Sequence, residues 1–230
     1  MKVPHNNRMQ TDTLLLASLA AMCRWCEALG YITMSLETKV FLVRHGETEW
    51  NKENRLQGNK DSPLTASGIK QAYEVKKSLE QFAIDYAYVS PLKRARDTLE
   101  IILEDRALES TIRDNLREIN LGPWEGKTRQ ETALSHPDEY LAFWKEPDNF
   151  NLPRADTFQE LQNRMVEELE FIFTEGKNKN VLVVSHWIAI KVTLAHYSST
   201  PLSHLSTIVD PENGGFLCLS KRGEDVFIQQ

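Results

Sequence analysis

Two short, unbroken apolar runs constrain this chain more than any other feature. Val40-Phe41-Leu42-Val43 and Val181-Leu182-Val183-Val184 are too short for core helices and show no polar alternation. Such runs are expected of strands buried on both faces, as in a parallel sheet covered by helices. A third strand is read at 84–89, where Ser90-Pro91 stops it, and a shorter one near Thr111-Ile112. Between these runs the period changes to that of helices. After Ser62-Pro63-Leu64-Thr65 the positions Ile69, Ala72, Val75, Leu79 and Phe82 recur at three- and four-residue steps, predicting one core-facing stripe. Further helices are predicted at 94–103, 129–135, 138–144 and 188–197. A long one starts at Thr157, whose capping box is completed by Glu160, and stops at Gly176. The tail is read as strands near Ile208-Val209, 216–220 and 226–229, with Lys221-Arg222-Gly223-Glu224 turning the last two into a hairpin. Strands alternating with helices give an α/β class: a three-layer sandwich with a mostly parallel central sheet and helices on both faces. Ligands in such sheets gather at the carboxyl ends of strands.

The chain's 230 residues suffice for one substantial domain. With 27 Lys+Arg against 33 Asp+Glu it is acidic, which argues against a dedicated nucleic-acid binder and leaves room for a small anionic substrate held by a few focused cations. Residues 1–34 read differently from the rest. The apolar stretch 14–22 is far below the ~20 residues needed to span a bilayer, so no membrane association is expected. This segment is read as an N-terminal extension outside the core, rather than a signal peptide, with the main domain at 35–230. Cys23, Cys26 and Cys218 form no disulfide framework, which favours a reducing, cytoplasmic setting. The Cys23-x-x-Cys26 spacing has no second pair to make a zinc site.

The polar residues following the strand runs carry the chemistry. Arg44-His45-Gly46-Glu47-Thr48 follows the first strand, Ser90-Pro91-Leu92-Lys93-Arg94-Ala95 the second, and Ser185-His186 the late one. Two arginines and two histidines at one sheet edge suit a phosphoryl group. Arginine offers a fork of donors to phosphate oxygens. One neutral imidazole can attack phosphorus, while a second, protonated, would hold the equatorial oxygens. Taken singly, each of these residues is more often a surface ion pair or a satisfied core histidine; their shared placement is what raises them.

These segments resemble the signatures of the histidine phosphatase superfamily, which includes the cofactor-dependent phosphoglycerate mutases. Arg44-His45-Gly46 resembles the family's Arg-His-Gly motif, and 50–58, 61–68 and 90–95 resemble its continuations. Leu116-Arg117-Glu118-Ile119-Asn120-Leu121-Gly122-Pro123-Trp124-Glu125-Gly126 resembles its acid segment. The resemblance runs from about residue 40 to 213 and implies a phosphoglycerate mutase-like fold. It implies His45 as the nucleophile that becomes phosphohistidine, and Arg44, Arg94 and His186 as phosphoryl-binding groups. Asn51, Arg55, Gln57 and Gly58 would line the phosphate or its ester group. Glu118 would protonate the leaving oxygen, prepared by partial burial or a nearby anion. No metal and no cofactor are implied; the partner is a small phosphate ester, and the oligomeric state is left open.

Two departures stand out. Trp187 replaces the glycine usual after the second histidine, and would either narrow the pocket, stack on substrate, or pack beneath the helix. Pro153-Arg154-Ala155-Asp156-Thr157 replaces a glycine-rich turn, and Arg154 could reach an anionic part of the substrate. Trp124 and Trp144 are read as packing residues. The acid segment and the absence of paired arginines after it resemble the shorter phosphatase branch more than the mutases, so a phosphomonoester hydrolase is expected. A phosphoglycerate mutase and an inactive binding module are the alternatives. Gly122 to Thr128 is one residue short of a P-loop.

Overall fold

The computed structural model describes residues 37–229. The extension at 1–34, its signal-like stretch and the Cys23/Cys26 pair therefore lie outside the described residues. Six strands form one sheet in the order β3-β2-β4-β1-β5-β6. They are β1 (Thr38–Arg44), β2 (Tyr86–Val89), β3 (Ser110–Ile112), β4 (Asn180–Ser185), β5 (Phe216–Arg222) and β6 (Asp225–Gln229). The two apolar runs are neighbours at the centre: β1 pairs parallel with β4, Val40 opposite Val181 and Val43 opposite Val184. β4 pairs parallel with β2, and β2 with β3, while β5 and β6 return antiparallel.

Alternation along the central strands sends side chains to opposite faces. Val40, Leu42, Val181 and Val183 pack with Leu161, Met165, Leu169 and Ile172 of α6 (Phe158–Glu175) and with Ala189 and Val192 of α7 (Trp187–Tyr197). Phe41, Val43, Leu182 and Val184 pack with Val75 of α2 (Ala66–Ser78) and with Ala95, Leu99 and Ile102 of α3 (Lys93–Leu103). The expected three-layer sandwich is thus present.

Local details differ from the sequence reading. The predicted strand near Ile208-Val209 is absent: a 3₁₀ turn over Leu202–Thr207 precedes it, Pro211 follows it, and Val209 is 62% exposed. The predicted core stripe of α2 holds at Ala72, Val75 and Leu79 but fails at its first position, where Ile69 is 42% exposed and Gly68 is buried instead. The cause is a backbone approach. A Cβ on Gly68 would lie 2.1 Å from the Glu47 carbonyl oxygen, and one on Gly46 would lie 2.4 Å from that of Gly68. Only two glycines let the loop after β1 rest on the start of α2. That loop also holds a single helical turn, α1 (Glu49–Lys52), capped reciprocally by Thr48 and Asn51. The hairpin turn contracts to Gly223-Glu224, with Lys221 and Arg222 inside β5.

Candidate active site

β1, β2 and β4 end side by side, and their carboxyl ends deliver Arg44, His45, Ser90 and His186 to one place. Arg94 reaches the same point from the first turn of α3. Its side chain is 1% exposed, and nearly all its donors are engaged. Nη1 donates to Lys60 O at 2.7 Å and Asp61 Oδ1 at 2.8 Å, Nη2 to Gly58 O at 2.8 Å, and Nε to His45 Nε2 at 3.2 Å. That leaves one Nη2 hydrogen free. Asp61 also accepts the amide hydrogens of Lys93 and Arg94, so it caps α3 while pairing with the guanidinium.

The arginine fixes the histidine's chemistry. An arginine Nε–H can only donate, so His45 Nε2 presents its lone pair. The ring proton therefore sits on Nδ1, which donates to Gly46 O at 2.8 Å. Burial, then Arg94 and Arg44, hold His45 well below the usual imidazole range, so it is neutral at pH 7. Gly46 N donates to Thr98 Oγ1 at 3.0 Å, tying this loop to α3.

His186 is fully buried, its ring centre 5.2 Å from that of His45. Its Nε2 lies 2.7 Å from Ser90 Oγ, and its Nδ1 has no hydrogen-bond partner. Burial first, then Arg94, His45 and Arg44, also push His186 well below the usual range. The expectation of a protonated second imidazole is corrected for the free enzyme, because the two arginines and the apolar surroundings exclude a third cation.

Arg44 donates through Nη1 to Pro211 O at 2.8 Å, and its Nε is buried without a partner. Burial pushes Arg44 down to about 10 against the pull of Glu118 and Asp210, which leaves it cationic at pH 7. Glu118 caps α7. Its carboxylate accepts the amide hydrogens of Ile119 at 2.9 Å, Ile188 at 3.2 Å and Ala189 at 3.0 Å. Glu118 is buried, as expected, but the amides of Ile188 and Ala189 are donors at a positive helix end rather than a nearby anion.

Arg44, His45, Asn51, Arg55, Gln57, Gly58, Arg94 and Glu118 all line one cavity of about 80 Å³. At ~30 Å³ per water that is room for two to three waters, the size of a phosphoryl group. His186 is not among the lining residues, but its ring adjoins that of His45. Asn51 is partly committed, because Oδ1 accepts from Thr48 N at 3.0 Å. Arg55 is partly committed too, donating to Glu53 and to Gly126 O. Arg154 does not line the cavity and its reach toward a ligand is not realised.

Trp187 forms the cavity's wall. Its indole N–H donates to Asp210 Oδ1 at 2.8 Å, its ring centre lies 5.7 Å from that of Trp144, and the Arg44 guanidinium lies 5.7 Å from its ring. It thereby separates the small chamber from an adjoining pocket of about 200 Å³ lined by Trp144, Phe158 and Leu205. Trp124 is wholly core, as read; Trp144 packs as well, but also edges this pocket. Arg129 is a cavity residue that sequence reading missed. It opens α4 (Arg129–Ser135), and its guanidinium rests 4.8 Å from the Trp144 ring centre. The capping box of Thr128 and Glu131 marks that helix start in the sequence, but nothing marks what Arg129 faces. Among the described residues no group of three or more His, Cys, Asp or Glu side chains is placed to hold a metal ion, and no helix is long and apolar enough to cross a membrane.

Comparison with known proteins places this geometry in context. Residues 40–227 match the model of the histidine phosphatase superfamily, branch 1. A Bacillus subtilis (strain 168) protein described as the uncharacterized phosphatase PhoE is 37% identical over 161 residues, covering 70% of this chain and 78% of the relative. An Escherichia coli O1:K1 / APEC protein described as the probable phosphoglycerate mutase GpmB is 36% identical over 157 residues, covering 66% and 71%. The solved structure of Bacillus stearothermophilus YhfR superposes with a TM-score of 0.81 at 34% identity, covering 83% of this chain and 95% of that one.

Proposed function

The chain belongs to the histidine phosphatase superfamily, branch 1, and from that premise we propose that it is a phosphomonoester hydrolase working through a phosphohistidine on His45. The observation that carries this reading is the unprotonated Nε2 of a neutral, 3% exposed imidazole, oriented by Arg94 Nε at 3.2 Å, at a cavity of phosphoryl size ringed by Arg44 and Arg94. The His45 Nε2 lone pair attacks phosphorus as the ester P–O bond breaks. The Nδ1–H bond to Gly46 O steadies the positive charge that the ring acquires. Arg44, Arg94 and His186 take the equatorial oxygens, where positioning and charge dominate phosphoryl transfer. Glu118 gives its proton to the departing alkoxide. In the second half a water attacks phosphorus, Glu118 takes the water's proton, and the P–N bond breaks to release phosphate. Every group in this scheme is a side chain or a backbone atom, so no metal and no cofactor take part. The alcohol portion extends past the chamber toward Trp187 and Arg129, with Asn51, Arg55 and the Gln57-Gly58 turn on the other side. The physiological partner on this reading is a small phosphorylated metabolite in a reducing, cytoplasmic setting.

Hydrolysis is favoured over mutase action because Arg129 is the cation that the 119–157 segment adds to the cavity, too little to retain a bisphosphate. The test is a phosphomonoester panel in EDTA, including 3-phosphoglycerate and scoring phosphate release against isomerisation. Phosphate release that persists in EDTA is expected. Isomerisation would establish the mutase instead, and no turnover of any ester would establish a binding module. On the same panel Glu118→Gln should lose about 100-fold or more on alkyl phosphates and far less on p-nitrophenyl phosphate, whose leaving group needs no proton. Equal losses on both would remove Glu118 from the acid role.

A further inference from the structure

The hydroxyl of Ser90 is fully buried and touches two groups. It accepts the amide hydrogen of Leu92 at 3.3 Å and lies 2.7 Å from His186 Nε2. Two proton arrangements satisfy the short contact. If His186 carried its proton on Nε2, that N–H would donate to Ser90 Oγ. The serine proton would then have no acceptor among the described residues, and Nδ1 would be a bare buried lone pair. If instead Ser90 donates to Nε2, the ring proton sits on Nδ1, and only that N–H is unpaired. The first arrangement strands two buried polar groups and the second strands one, so the second is favoured. The second also leaves a donor, not a lone pair, free on a ring whose centre lies 5.2 Å from that of His45, and phosphate oxygens require donors.

We propose that Ser90 is a positioning residue that locks neutral His186 in the Nδ1–H tautomer, so that this imidazole binds the phosphoryl group as an uncharged hydrogen-bond donor. The inference builds on the phosphoryl-binding role of His186, but concerns the resting enzyme and its affinity for inorganic phosphate rather than turnover. Ser90 touches no substrate on this account and acts through His186. It also corrects the simpler picture of the second histidine as a cation: Arg44 and Arg94 supply the charge, and His186 supplies direction.

The experiment is nitrogen-15 NMR of the labelled whole chain at pH 7, correlating ring nitrogens with ring carbon protons, with the His186 signals assigned by their loss in His186→Gln. The wild-type protein should show a neutral His186 protonated at Nδ1. Ser90→Ala should shift that signal pattern toward Nε2–H or a tautomer mixture and weaken inorganic phosphate binding roughly tenfold or more, the loss of a hydrogen bond to a charged group. Ser90→Thr, which keeps the hydroxyl, should restore the Nδ1–H pattern. Nε2–H in the wild-type protein would overturn the proposal without any variant being made. So would an Nδ1–H pattern and phosphate affinity that Ser90→Ala leaves unchanged. Absent phosphatase turnover with the Nδ1–H pattern intact would count against the proposed function and not against this assignment.

Discussion

His45→Ala is expected to lower phosphatase activity by about four orders of magnitude or more, with the fold intact. The size of the effect follows from the chemistry, since the variant has no atom to form the covalent intermediate and retains only binding and charge. Retained structure is expected because His45 contributes a ring at a cavity wall, while the loop itself is held by backbone. His45 N donates to Ser185 O, Gly214 N donates to Arg44 O, and Gly46 meets Gly68. The check is kcat/KM on p-nitrophenyl phosphate together with circular dichroism. A folded variant with unchanged activity would sink the nucleophile assignment.

Arg94→Ala should be nearly as damaging to activity, by about a thousandfold, and should cost stability as well. Its guanidinium is the shared partner of Gly58 O, Lys60 O, the Asp61 carboxylate and His45 Nε2. Removing it strands the buried Gly58 carbonyl, takes a donor from Lys60 O and leaves the Asp61 carboxylate only the two α3 amides, a loss on the order of 3 kcal/mol. It also frees His45 Nε2 from the donor that orients it, leaving only the Nδ1–H bond to Gly46 O. Arg94→Lys is not expected to rescue either property, because an ammonium on a flexible stem cannot reach four acceptors in a planar fork. Lys93→Ala, one residue earlier on the exposed side and paired with Asp97, is the natural comparison and should change stability by less than about 0.5 kcal/mol. Urea unfolding and steady-state kinetics on the three variants check this. An Arg94→Lys enzyme with wild-type stability and activity would contradict the clamp.

The chemistry was legible where short-range sequence dictates geometry. Val40 to Val43 and Val181 to Val184 must be central strands, and residues directly after central strands must share one edge. Arg44, His45 and His186 therefore meet whatever the loops do. Less was legible where backbone meets backbone. The exposure of Ile69 at the start of α2 follows from Gly46 against Gly68, a contact between segments twenty-two residues apart that the hydrophobic period does not report. Ile208 and Val209 have strand-forming side chains, but β1 is already paired on both edges, by β4 and β5, and these residues instead lead into the segment that clasps Arg44 through Pro211. Glu118 was found by its motif and its burial was expected, but not its amide partners, because those of Ile188 and Ala189 arrive from seventy residues away. Arg129 and Asp210 owe their places at the site to the same kind of distant packing, through Trp144 and Trp187.

The central claim is a covalent phosphoryl group on His45, and one measurement addresses it directly. The enzyme is mixed with p-nitrophenyl phosphate, quenched within milliseconds into alkali, where phosphohistidine survives, and mapped by peptide mass spectrometry. A single phosphoryl group on the peptide carrying His45, located on that ring and absent from His45→Ala, is the predicted result. Rapid turnover with no phosphoryl group on His45, or with the group on another residue, would contradict it.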